Sequence, residues 1–247
     1  MRKALFVIVA VLAFIEVRAQ VGLHVGLMAG PQYTMILNNQ PIDGTGKGFA
    51  YIPTWGRTAT LKIGYNFVPP IGVHTAVTYS EQGQEYSTLD SSGAKTITTR
   101  KQKYIKIPLL LHLSSTPGPI MFVMEFGPQI GILQDAAFSV TGGSDPISFA
   151  ADLLWKPVDI DLAWCFGAEF GIAKGFHIVV QQRGDYGLWD MENKSLLIDG
   201  LPFYPAARKR AVNLTASLVV GFNFIPYFGH SKTTRHYKGR TWRNNWR

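Results

Sequence analysis

Apolar and polar residues alternate with a period of two along much of this chain. The longest example covers residues 211–224, where every second side chain from Val212 onward is apolar and the intervening ones are mostly small or polar. Successive side chains of a β-strand point to opposite faces, so this pattern predicts a strand with one apolar and one polar face. The segment is longer than the about 9–11 residues that a tilted strand needs to cross a bilayer.

Seven earlier segments show the same alternation. In chain order, their apolar faces begin at Leu23, Leu61, Ile71, Ile105, Phe122, Ile160 and Phe176. With residues 211–224 they make eight predicted strands. An even number of strands is the rule for single-chain barrels of the bacterial outer membrane.

The connections between the predicted strands alternate in length. Three short ones lie at residues 68–70, 115–119 and 173–175, and four long ones at 38–56, 83–99, 134–157 and 188–209. Outer-membrane barrels have short periplasmic turns and long extracellular loops, and the observed order matches that asymmetry. We therefore predict an all-β fold, an eight-stranded antiparallel transmembrane up-and-down β-barrel. Its last strand is expected to close against residues 22–37.

The first nineteen residues have the form of a secretory signal peptide. Arg2 and Lys3 precede an apolar run over residues 4–15, and Ala19 ends a short segment suited to cleavage before Gln20. We predict three parts: a signal peptide over residues 1–19, the barrel over 20–224 and a basic periplasmic tail over 225–247.

The composition agrees with this division. Charged residues make up 16% of the chain, against about 25% in an ordinary soluble domain. The formal net charge is +8, but the signal peptide holds three basic and one acidic residue, and the tail holds six basic and no acidic ones. The predicted barrel is therefore formally neutral. Cys165 is the only cysteine, which excludes an intramolecular disulfide.

Six charged residues fall on the inward-facing parity of the predicted strands. They are Lys62, Lys106, Glu125, Asp161, Glu169 and Arg183. The interior of an eight-stranded barrel is just wide enough to be filled by side chains. Because charges in such a space need partners, three bases and three acids predict a salt-bridged polar plug. An ion pathway through the lumen is the alternative.

Four histidines also take the inward parity, near the predicted periplasmic ends of their strands. They are His24, His74, His112 and His177. A layer of four imidazoles could bind a metal ion or respond to pH. Hydrogen-bonded filling of the lumen is the simpler interpretation, so no metal and no cofactor are predicted.

The basic tail interleaves cations with aromatic residues. The residues expected to contact a partner are Lys232, Arg235, Lys238, Arg240, Trp242, Arg243, Trp246 and Arg247. Such a composition can bind nucleic acid, but the predicted periplasmic location argues against it. Outer-membrane lipids with anionic headgroups, or an acidic surface on a periplasmic or outer-membrane protein, are the expected partners. A tail without a partner is the alternative.

Aromatic residues also occur in the predicted long loops. Trp155, Phe203 and Tyr204 are expected to pack these loops over the mouth of the barrel, and an external binding patch is the alternative. None of the six histidines lies in a long loop, which disfavours a histidine-dependent hydrolase. The chain is therefore not expected to be an enzyme.

Four motifs, found in order along the predicted strands, carry a family resemblance. They are Tyr-Ser-Glu-Gln-Gly-Gln at 79–84, Tyr-Ile-Lys-Ile-Pro-Leu-Leu-Leu at 104–111, Phe-Gly-Pro-Gln-Ile-Gly at 126–131 and Arg-Gly-Asp-Tyr-Gly-Leu at 183–188. Together they resemble the PorT-like small outer-membrane β-barrel family of Bacteroidota. The basic tail departs from that family, whose members commonly stop near the last aromatic residue of the final strand.

The resemblance implies a multi-pass barrel in the outer membrane of a Gram-negative bacterium. It also implies a non-enzymatic structural or docking component of a cell-envelope assembly, with type IX protein secretion as the candidate assembly. A small passive channel or ligand-binding porin is the first alternative. A surface adhesin acting through the long loops is the second.

Overall fold

The computed structural model describes residues 22–37, 50–68, 70–89, 95–115, 119–141, 147–150, 152–173, 175–195, 197–198, 201–202 and 210–225. The predicted signal peptide at 1–19 lies outside the described residues, as does the predicted tail from residue 226 onward, including its listed contact residues from Lys232 to Arg247. No helix in these described ranges is both long and apolar enough to span a membrane.

Eleven strands and one short 3₁₀ helix, over Asp152–Leu154, make up the described secondary structure. In chain order the strands are β1 (Gly22–Leu37), β2 (Ala50–Val68), β3 (Ile71–Leu89), β4 (Lys95–Ser114), β5 (Ile120–Thr141), β6 (Ile147–Ala150), β7 (Val158–Ala173), β8 (Phe176–Gly187), β9 (Leu197–Ile198), β10 (Leu201–Pro202) and β11 (Val212–Phe224). The eight long strands are those that the sequence pattern predicts.

The long strands form a closed antiparallel barrel. Each pairs with its neighbour in the order β4, β3, β2, β1, β11, β8, β7, β5, and pairing between β4 and β5 completes the circle. Leu27 of β1 lies opposite Phe222 of β11, so the last strand closes against the first as predicted. The short β6 extends the sheet beside β5, and β9 and β10 form a separate small hairpin.

The three predicted short turns are confirmed, but one predicted long loop is wrong. The alternation predicts a loop over residues 83–99, whereas β3 continues to Leu89 and β4 begins at Lys95. Gly83 pairs with Lys101, and the ladder runs on to the pair of Leu89 with Lys95. The segment around Ile97 is rich in β-branched residues, which favours a strand over a loop.

Two other predicted loops are shorter than expected. β2 begins at Ala50, inside the segment 38–56, and β5 runs to Thr141, inside the segment 134–157. The apolar alternation weakens in these extensions because their outer faces no longer contact lipid. A pattern based on apolar residues therefore underestimates how far strands β2 to β5 extend beyond the membrane.

The two faces of the barrel are chemically opposite. Leu61, Leu109 and Phe222 on the outer face are 56%, 58% and 57% exposed, whereas Lys62 and Lys106 on the inner face are 1% exposed. An apolar exterior around a polar interior is the arrangement of a barrel embedded in lipid. The predicted parity of the strands is thus confirmed.

A row of alternating charges ends the apolar exterior on the side away from the short turns. Arg57 Nε lies 3.3 Å from Glu81 Oε2, and Lys103 Nζ lies 2.7 Å from Asp135 Oδ2. Glu81 pairs with Lys103 across β3 and β4, so the row crosses four neighbouring strands. Tyr79 donates a hydrogen bond to Glu81 just beneath it, at 3.0 Å. Such a charged row with a tyrosine below it marks the outer membrane interface.

Replacing Leu109 with arginine tests this membrane placement. Leu109 lies on the outer face of β4 about midway between Ser114 at the short turn and Lys103 in the charged row. A cation near the bilayer midplane should lower the free energy of unfolding by about 2–4 kcal/mol, against about 0–1 kcal/mol for Val68→Arg at the turn. Urea unfolding in lipid vesicles measures both, and equal losses would contradict the placement.

Loop residues close the opposite mouth of the barrel. Trp155 is 2% exposed and packs in an apolar cluster with Ile36, Ala136, Leu154, Met191 and Ala211. Beneath it, Arg100 Nη1 donates to Glu192 Oε1 at 3.3 Å, with its guanidinium 5.3 Å from the Trp155 ring centre. The expected packing over the mouth is therefore found for Trp155, while Phe203 and Tyr204 lie outside the described residues.

Candidate functional site

Three long cations of the lumen stand between small inward residues on their neighbouring strands. Lys62 of β2 lies between Gly26 and Ala76, and Lys106 of β4 lies between Thr78 and Gly131. Arg183 of β8 likewise lies between Cys165 and Ser217. Alternating large and small residues in this way lets a narrow barrel hold long side chains. The cations can therefore extend across the lumen to distant strands.

The outer half of the lumen is organised around Lys106. Its Nζ donates to Asp161 Oδ2 on β7 at 3.0 Å and to Asp185 Oδ1 on β8 at 2.7 Å. Gln129 Nε2 donates to the same Asp161 oxygen at 2.9 Å, and Asn213 Nδ2 donates to Asp159 Oδ2 at 3.1 Å. One ammonium group thus links carboxylates on two strands across the barrel from its own.

Arg183 occupies the middle of the lumen. Its Nη1 donates to Thr60 Oγ1 on the opposite wall at 2.8 Å. A cavity of about 20 Å³ remains beside it, lined by groups such as Gln129 and Ser217. One water molecule needs a cavity of about 10–15 Å³, so this cavity holds about one water molecule. That is too small for a hydrated ion.

Glu125 of β5 organises the lumen near the short turns. Its Oε1 accepts a hydrogen bond from Lys62 Nζ at 3.0 Å. The Nδ1 atoms of His74 and His112 lie 2.7 Å and 2.8 Å from the same oxygen. Asn66 Oδ1 lies 3.2 Å from His74 Nε2. Glu125, Lys62 and both imidazoles are at most 1% exposed, so this is a desolvated polar cluster.

Strand pairing near the short turns aligns the histidines. His24 of β1 lies opposite Gly64 of β2, and Gly64 lies opposite His74 of β3. A side chain at position 64 would collide with the His74 ring, so glycine there is what lets the imidazoles approach. His112 of β4 lies opposite Glu125 of β5. The rings of His74 and His112 stack with their centres 4.0 Å apart.

Only three of the four predicted histidines come together. His24 lies 5.3 Å from His74 and 6.0 Å from His112, measured between ring centres. His177 instead lies on β8 opposite Asn223 of β11, outside this group of three rings. Asn223 Nδ2 donates to both carboxylate oxygens of Glu169, at 3.0 Å and 3.2 Å.

The structure places the six predicted lumen charges as follows. All are buried, and ion pairs join Lys62 to Glu125 and Lys106 to Asp161. The predicted balance of three bases and three acids is wrong, because Asp159 and Asp185 also face the lumen at 1% and 8% exposure. The alternation of apolar and polar residues weakens after Arg183, so it does not predict that Asp185 faces the lumen. Its spacing of two residues from Arg183 is the signal that could have revealed it.

Solved structures of other small barrels resemble this chain weakly. The attachment invasion locus protein Ail of Yersinia pestis is 14% identical, with coverage of 83% of this chain and 100% of Ail and a TM-score of 0.39. The outer membrane protein OprG from Pseudomonas aeruginosa is 11% identical, with coverage of 85% and 98% and a TM-score of 0.43. Likenesses this distant support no conclusion about the role of this chain.

No curated protein matches the sequence. The family model described as outer membrane protein beta-barrel domain matches residues 18–193, which is more than half of the chain. The closed eight-stranded antiparallel barrel, with its apolar exterior, agrees with that match. The chain therefore belongs to the outer membrane protein beta-barrel domain family and is a protein of the Gram-negative outer membrane.

Proposed function

We propose that this protein is a non-enzymatic structural or docking component of a cell-envelope assembly. The observation that carries the proposal is the filled lumen. Lysine and arginine side chains cross it to partners on distant strands, and the space beside Arg183 holds about one water molecule. A barrel with such an interior offers its surfaces and termini to partners, not a path for solutes.

The type IX secretion system is the candidate assembly. Support for it comes from the motifs at residues 79–84 and 104–111, which resemble the PorT-like family of Bacteroidota. The basic residues after position 225 supply a charged segment that suits an acidic protein surface or anionic lipid headgroups. We propose that this tail is the docking element.

The described histidines also fit a non-enzymatic role. His74 and His112 bind Glu125, and His24 lies against these two rings. None of these contacts brings an imidazole to a serine or cysteine nucleophile, as a hydrolase that uses such a nucleophile would require. The arrangement holds a desolvated cluster in place.

Single-channel recording tests the proposal against a passive channel or porin. Purified protein in planar bilayers should show no conductance steps, because the described lumen side chains leave too little room for a hydrated ion. A matched variant replaces Gln32, Gln129 and Arg183, which line the central cavity, with alanine. Steps from the variant alone would support a plugged native barrel, and steady conductance by the native protein would favour the channel.

Deletion of residues 231–247 tests the docking role. Native membranes carrying the full chain should yield co-purifying envelope proteins, and the deletion should lose them while the barrel still inserts. A second variant with the six tail cations changed to glutamine separates charge from length. Unchanged co-purification from both variants would rule out docking through the tail. Binding of whole cells to host surfaces, if retained by both variants, would favour the adhesin.

A further inference from the structure

We propose that His24, His74, His112 and Glu125 form a binding site for one divalent transition-metal ion, of which Zn²⁺ is the natural probe. The four side chains come from β1, β3, β4 and β5 and meet inside the barrel near the short turns. This site goes beyond the docking role, which needs no metal.

The first observation is the convergence of donor atoms. His74, His112 and Glu125 each offer one ligand atom, and these three atoms all lie within 4.8 Å of one another. Nδ1 of each imidazole faces the same Glu125 oxygen at 2.7 Å and 2.8 Å. A metal ion entering here replaces hydrogen bonds with coordination bonds, and any Nδ1 proton leaves for solvent. Imidazole and carboxylate are ligands that Zn²⁺ accepts in tetrahedral sites.

The second observation is independent of the first and concerns His24. This side chain is 2% exposed, yet neither of its ring nitrogens has a hydrogen-bond partner among the described residues. A buried polar atom without a partner has lost its hydrogen bonds to water without replacement, so it calls for an explanation. His24 lies beside the other two imidazoles, with ring centres 5.3 Å and 6.0 Å away. Coordination through one of its nitrogens supplies a fourth ligand and accounts for its burial.

Lys62 gives the site a distinctive competitor. Its ammonium lies 3.0 Å from the Glu125 oxygen that would bind the metal. Cation and metal ion therefore compete for one carboxylate oxygen. Removing the ammonium by Lys62→Met should tighten metal binding, an effect that a surface histidine site would not show.

Zinc titration by calorimetry tests the proposal on full-length protein stripped with chelator. The native chain should bind one Zn²⁺, and His24→Leu should bind at least about tenfold more weakly, which corresponds to the loss of about 1.4 kcal/mol or more. His177→Leu is the matched control and should bind as the native chain does, because His177 lies outside the group of three rings.

The His24→Leu variant also separates binding from folding. Its imidazole nitrogens have no described hydrogen bonds to lose, so in zinc-free buffer this variant should be at least as stable to urea as the native barrel. Absence of stoichiometric zinc in the native protein would overturn the proposal. So would native affinity in His24→Leu, or an equal loss in His177→Leu.

Discussion

Replacing Lys106 with methionine should lower the free energy of unfolding of the barrel by about 3–5 kcal/mol, because the change leaves buried carboxylates without their cation. Asp161 is 0% exposed and Asp185 8% exposed, and both contact the Lys106 ammonium directly. Methionine fills much the same volume, so lost packing contributes little. Urea unfolding of the protein refolded in lipid vesicles measures the loss.

Lys103→Met is the matched control for this experiment. Lys103 lies on the same strand and pairs with Asp135 at 2.7 Å, but its side chain is 47% exposed on the outer face. Solvent screens such a pair, so its loss should change stability far less. A triple variant combining Lys106→Met with Asp161→Asn and Asp185→Asn should recover most of the stability. Equal losses in the two single variants would mean that water solvates the lumen charges.

Glu125→Gln is the second substitution expected to have a large effect, and it should also lower the free energy of unfolding by about 3–5 kcal/mol. Urea unfolding is measured with chelator present, so that metal binding plays no part. The amide has the shape of the carboxylate but no charge, so the Lys62 ammonium loses its ion-pair partner. Lys62 is 1% exposed, which keeps water from replacing Glu125. His74 and His112 keep at most an amide oxygen, a weaker acceptor than the carboxylate that holds their Nδ1 atoms.

Two further variants define the origin of that effect. Glu81→Gln makes the same chemical change in the charged row on the outer face, where Arg57 is 84% exposed, and should cost little. The double variant Glu125→Gln with Lys62→Met removes both buried charges and should be more stable than Glu125→Gln alone. If the double variant is less stable than the single, Lys62 stabilises the barrel through groups other than Glu125.

The local pattern was sufficient to predict the transmembrane part of the fold. Side chains alternate between the two faces of any strand, whichever strands lie beside it. The inward direction of Lys62, His74 and Glu125 could therefore be assigned from the sequence alone. A short hairpin also fixes the register of its two strands, since the turn leaves no freedom to slip. The turn after Val68 therefore places Gly64 opposite His74.

Prediction failed where the chemical contrast between the faces disappears. Above the row formed by Arg57, Glu81, Lys103 and Asp135, the outer face contacts water, so polar residues stand on both sides of a strand. This is why the alternation predicts a loop over residues 83–99, although residues 83–89 pair with residues 95–101. The same loss of contrast after Arg183 concealed Asp185, the second partner of Lys106.

The sequence by itself determined the eight strands, their inward and outward faces, the short turns and the closure of the last strand on the first. Only the tertiary structure decided which inward groups meet. Lys62 and Glu125 are 63 residues apart, and Lys106 and Asp185 are 79 apart. Their contacts depend on how far the whole sheet curls before it closes, which no local pattern encodes. For the same reason the structure, and not the spacing, separated His177 from the three histidines that gather around Glu125.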